Sequence, residues 1–119
     1  MAMLTKELIL AADDRKFEDV DVPEWGGTIR ISEMSSKDRD DFDAGTIRII
    51  GKKVEPVYDS RRAKLLSFCI VDDEGKRMFS SGDVEALALK SGNVITRLCD
   101  VAERLNGMTR EAVEDQVKN

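Results

Sequence analysis

The chain has no histidine, two cysteines, two prolines and one tryptophan among its 119 residues, and aromatic residues make up 5% of it. Without an imidazole, Ser-His-Asp and Cys-His nucleophile systems and His-ligated metal centres are excluded, because each needs that ring as base or ligand. No apolar run approaches the roughly 20 residues a membrane-spanning helix requires. The opening Met1-Ala2-Met3-Leu4-Thr5-Lys6-Glu7 meets an acid before any long apolar stretch, unlike a signal peptide. Cys69 and Cys99 lie in apolar segments without CxxC spacing, the pattern of reduced, buried thiols in a cytosol.

What remains is 41% hydrophobic and 36% charged, with a net charge of −5, the composition of a soluble globular protein. Its length suits one domain spanning residues 1–119. The charge is unevenly spread. Residues 46–64 carry six bases against two acids, and the ends are acidic.

Hydrophobic spacing predicts an α+β fold: a mainly helical single domain with an N-terminal β-hairpin and four or five helices. Leu4, Leu8, Ile9 and Ala12 have helical spacing and precede a charged stop, which fits a short amphipathic helix packing on its own domain. Phe17-Glu18-Asp19-Val20-Asp21-Val22 and Thr28-Ile29-Arg30-Ile31-Ser32 alternate around Pro23-Glu24-Trp25-Gly26-Gly27, a hairpin signal in which the glycines supply positive φ. Ser35 and Ser36 open a helix with Phe42 on its apolar side, and Gly45 weakens its far end. The middle of 46–64 reads as a mobile basic loop.

A helix resumes near Ser60 and runs through Ile70 to an acidic turn at Val71-Asp72-Asp73-Glu74-Gly75-Lys76, after which Met78 and Phe79 return to the core. Ser80-Ser81-Gly82-Asp83 opens another helix, broken by Ser91-Gly92-Asn93. Val94, Ile95, Leu98, Val101, Ala102 and Leu105 then form the widest apolar stripe of the chain, stopped by Asn106-Gly107. Thr109 caps a last short helix through Val113 and Val117.

Several tempting chemistries fail on spacing. Asp38, Asp40, Asp41 and Asp43 suggest calcium, but an EF-hand begun at Asp38 puts Phe42 at a ligand position and Ile49 where the bidentate acid belongs. A phosphate-binding loop at Gly45 to Lys53 has five residues between its glycines and lacks the Ser or Thr after Lys52. The carboxylates at Asp72-Asp73-Glu74 have no neighbouring nucleophile and read as turn residues. No catalytic, metal or cofactor residue is assigned.

A helix-turn-helix nucleic-acid regulator over residues 84–105, with Arg97 and Arg104 on the second helix, is the rival reading. Asp100 and Glu103 interleave with those arginines, and residues 65–119 carry seven bases against ten acids, a poor balance for phosphate.

The segment Val22-Pro23-Glu24-Trp25-Gly26-Gly27-Thr28-Ile29-Arg30-Ile31, followed by residues 33–42, resembles the tail assembly chaperones of long-tailed bacteriophages and prophages. Residues 62–79, with their helix and acidic turn, and the segments 83–87 and 101–107 are similar to the same family. The likeness covers nearly the whole chain. It implies a non-enzymatic helper in the bacterial host cytoplasm, absent from the finished virion, which binds the tape-measure protein and helps recruit tail-tube subunits around it. It brings no catalytic residues and no cofactor. In many such phages a ribosomal frameshift also yields an extended second product.

Masking a long helical client calls for repeated copies, each offering an apolar face on a charged body, so self-association is expected. Neither a membrane nor a nucleic acid is an expected partner. Trp25 is the first candidate contact, an interface anchor if displayed and a core side chain if folded back. Leu4 and Leu8 are candidates through the terminal helix. Arg48, Lys52, Lys53, Arg61 and Arg62 are either a solvated loop or a basic surface for a neighbouring copy, Asp38 to Asp43 being an acidic counterpart.

Overall fold

The computed structural model describes residues 2–56 and 60–108. Strands β1 (Phe17–Val22) and β2 (Gly27–Ser32) form the expected antiparallel hairpin, in register from Phe17 opposite Ser32 to Val22 opposite Gly27. A 3-10 turn over Pro23–Trp25 joins them. Gly26 alone takes a positive φ, 77°, and Gly27 already belongs to β2. Helix α1 (Lys6–Ala11) precedes the hairpin, with Thr5 Oγ1 accepting from the Leu8 amide.

Helix α2 (Ser36–Ala44) opens on Ser35, whose Oγ accepts from the Asp38 amide at 3.1 Å, and ends at Gly45. The predicted mobile loop is instead a second hairpin, β3 (Ile47–Ile50) and β4 (Lys53–Pro56), paired from Ile47 opposite Pro56 to Ile50 opposite Lys53. Gly51, at φ 61°, occupies the first position of the two-residue turn, where a side chain on Cβ is disfavoured. Charge obscured this element: Arg48, Lys52 and Lys53 dominate the composition, although Ile47-Arg48-Ile49-Ile50 is a β-branched run ending in a Gly-Lys turn.

Helix α3 (Arg61–Cys69) stops one residue before Ile70. The predicted helix through Ile70 is corrected here: Ile70–Val71 is strand β5, pairing antiparallel with β2 so that Ile70 lies opposite Ile31. Both isoleucines are almost wholly buried, and burial between sheet and helices favours the extended backbone over one more helical residue. Of the expected core pair after the turn, Phe79 packs against the core while Met78 remains 53% exposed.

Helix α4 (Val84–Ala88) follows a capping box in which the Ser80 amide donates to Asp83 Oδ2 at 2.8 Å. Helix α5 (Gly92–Leu105) is capped by Ser91 and buries Val94, Ile95, Leu98, Cys99 and Ala102. One hydrophobic cluster joins Val22 and Ile31 of the sheet to Leu65, Leu66 and Cys69 of α3 and Leu98 of α5. The chain is therefore α+β, with the three-stranded sheet β1-β2-β5 against α3 and α5. The helix expected after Thr109 lies outside the described residues.

Two corrections bear on function. No residue of α1 is buried, so the expectation that it packs on its own domain is overturned. Its apolar residues include three in succession, Leu8-Ile9-Leu10, and none finds a partner surface among the described residues. The β3–β4 ribbon likewise forms a separate two-stranded sheet.

Candidate functional site

The apolar side chains left in water are concentrated rather than scattered. Among the described residues, twelve large hydrophobic side chains are exposed; nine of them are Met3, Leu4, Leu8, Ile9 and Leu10 around α1 and Ile47, Ile49, Ile50 and Val54 on the ribbon. Scattered single residues of this kind need no explanation, but contiguous ones mark interaction surfaces.

The ribbon is two-faced. Residues directly opposite in an antiparallel pair share a face, so Ile47, Ile49 and Val54 lie on one side, and Arg48, Ile50, Lys53 and Glu55 on the other. Lys52 sits in the turn at the tip. A lone two-stranded hairpin is marginal in water, and this one turns an apolar face to solvent, with Ile49 69% and Val54 64% exposed.

The structure brings only part of the predicted contact set together. Arg48, Lys52 and Lys53 cluster on the ribbon, whereas Arg61 and Arg62 stand on the first turn of α3. Arg61 lies 5.6 Å from the Phe42 ring centre and 3.8 Å from Glu103, and Arg62 is exposed beside a cleft of about 480 Å³ shared with Lys90. Leu4 and Leu8 are 68% and 56% exposed. Trp25 is half-buried: it packs on the core and shares a shallow cleft of about 210 Å³ with Phe79 and Leu87. The sequence reading missed Ile47, Ile49, Ile50 and Val54 as contacts, although their alternation with charged residues was the available signal.

The rival nucleic-acid surface is occupied from within. Arg97 Nη1 and Nη2 donate to the Glu24 carboxylate at 3.0 and 2.9 Å, and Arg104 Nη2 donates to Glu18 at 3.0 Å. The hydrogen bonds from Arg97 hold the Glu24 carboxyl down, from its ordinary 4.5 to about 2. Both arginines of the candidate recognition helix are thus spent on fastening α5 to the hairpin.

The thiols are inert by placement. Cys69 and Cys99 are free and buried, and burial pushes each up to about 12. Asp72 serves the turn, its Oδ1 accepting from the amides of Glu74 and Lys76 at 2.9 and 3.0 Å. These backbone donors hold its carboxyl below the usual range. No helix among the described residues is long and apolar enough to cross a membrane.

Comparison with known proteins agrees with this architecture. In solved form, the tail assembly chaperone of bacteriophage HK97 matches with a TM-score of 0.58 and 22% identity, over 84% of this chain and 90% of that one. At that identity the likeness is one of fold. No curated protein matches the chain in sequence. The family model described as phage tail assembly chaperone matches residues 5–119, and on that match the chain belongs to the phage tail assembly chaperone family.

Proposed function

We propose that the chain acts as a single-domain, non-enzymatic chaperone in the bacterial host cytoplasm, binding the tape-measure protein before the tail tube covers it and helping to recruit tail-tube subunits. It leaves the assembly before the virion is finished. Several copies associate along the client, so that each contact can be weak while the whole is tight.

The distribution of exposed apolar side chains carries this reading. A charged, folded body presents α1 and the β3–β4 ribbon outward, with Trp25 half-exposed beside Phe79. A long helical client exposes apolar stripes that aggregate in water, and a coating protein needs apolar contacts outside and charge to keep the complex dissolved. No general base is required for that task, which suits a chain without histidine.

The test is co-expression of the tagged chain with the tape-measure protein of the same phage. The expected result is a soluble client that co-purifies with the chain. A client that stays insoluble, with none of it retained by the tagged chain, overturns the proposal.

A further inference from the structure

We infer that α1 of one copy packs on the apolar face of the β3–β4 ribbon of a second copy, giving a head-to-tail contact that repeats. This rests on the self-association in the proposed function and assigns it to named surfaces. Each chain carries two unpartnered apolar elements at once. The side chains involved are between 47% and 91% exposed and amount to roughly 1,000 Å² of apolar surface, the scale at which specific interfaces begin.

The two elements match in size and charge. Six helical residues extend about 9 Å, within the roughly 13 Å of a four-residue strand. Residues 2–14 carry Lys6 against Glu7, Asp13 and Asp14, while the ribbon and its turn carry Arg48, Lys52 and Lys53 against Glu55. Apolar surface therefore meets apolar surface, with acids following the helix and bases beside the ribbon face.

Symmetric alternatives satisfy less. Two ribbons face to face leave both α1 helices in water and gather bases of like sign at their tips. Two α1 helices together leave both ribbons bare. A heterologous contact covers both elements on every interior copy, and because its two surfaces differ it propagates into a ring or an open array.

The experiment is sedimentation velocity on the full chain over a range of concentrations, with two double variants. Leu8→Asp with Ile9→Asp spoils the helix face, and Ile49→Asp with Val54→Asp spoils the ribbon face. All four positions are exposed, so the fold is retained, as circular-dichroism melting checks. The wild type is expected to grow beyond a dimer, and each variant alone to weaken association at least about 100-fold. Mixing the two variants is expected to give a one-to-one complex and nothing larger, since one intact helix meets one intact ribbon.

A wild type that stays monomeric, variants that assemble like the wild type, or a mixture without the complex overturns the contact. Charge exchange gives an independent arm. Lys52→Glu with Lys53→Glu weakens association, and mixing with Asp13→Lys, Asp14→Lys chains restores it. No restoration counts against the contact. Association through other surfaces sinks this inference and leaves the chaperone proposal standing, because client co-purification decides the latter separately.

Discussion

Arg97 on α5 holds Glu24 at the tip of the β1–β2 hairpin through hydrogen bonds of 3.0 and 2.9 Å, across 73 residues of sequence. Seven residues further along α5, Arg104 holds Glu18 near the hairpin's other end. The two clasps fix the sheet's outer strand on the helix that carries most of the core. Both pairs are about half exposed, so they orient the hairpin more than they stabilise it.

The Glu24 clasp makes an acid-side prediction. Its carboxyl titrates near 2 in the folded chain against an ordinary 4.5, so the ionised form favours folding. The contribution is complete above about 4.5 and is lost as the pH falls through about 2. Carbon-detected NMR titration should place the Glu24 midpoint near 2. In Glu24→Gln, the loss of stability between pH 5 and pH 2 should shrink. Solvent screening keeps the difference at neutral pH small. A Glu24 midpoint close to 4.5 would count against the clasp.

Leu98 is fully buried on the α5 stripe, between sheet and α3. Leu98→Ala leaves a cavity that rigid neighbours only partly close, at a cost of about 2–5 kcal/mol. Urea unfolding should show a lowered midpoint with an unchanged slope. The same truncation at Leu89, which is 88% exposed, should change stability by less than about 0.5 kcal/mol.

Asn106 joins three parts of the fold. Its Oδ1 accepts from the Met34 amide at 2.8 Å, its Nδ2 donates to the Ala102 carbonyl at 2.7 Å, and its own carbonyl accepts from Arg39 Nη1 at 3.0 Å. Asn106→Ala leaves the amide of buried Met34 without its acceptor, which costs about 1–3 kcal/mol. Hydrogen exchange at the Met34 amide should accelerate in step with that loss. Unchanged exchange would show that the amide finds another acceptor.

The cysteines give a packing readout. With both thiols buried and held near 12, a thiol reagent at pH 8 should label the native chain very slowly and label two sites at once in denaturant. Leu98→Ala, by opening the core more often, should raise the native labelling rate.

The legibility of this chain follows physical range. The first hairpin, α2 and α5 could be read because their signals are local: alternation with Pro and Gly between strands, a serine cap, and an apolar stripe closed by Asn106-Gly107. Ile70 was misread because its spacing from Leu66 continues a helix, and only its partner Ile31 in β2 draws the backbone out. The ribbon was misread because three bases masked a β-branched run.

The candidate contacts divide in the same way. Leu4, Leu8, Arg48, Lys52 and Lys53 were identified by composition and spacing, while Ile49 and Val54 needed the cross-strand register that sets them on one face. The fate of Arg97 and Arg104 was invisible, since their partners lie 73 and 86 residues away.

The sequence alone determined the α+β class, the absence of imidazole chemistry, the capped helices and the family likeness, because propensity, capping and composition act over a few residues. Tertiary structure decided which apolar residues are buried and which are left in water. An isoleucine has the same transfer free energy wherever it stands in the sequence. Whether a neighbour covers it depends on contacts between distant segments, and those placed Ile31 in the core and Ile49 on an open ribbon.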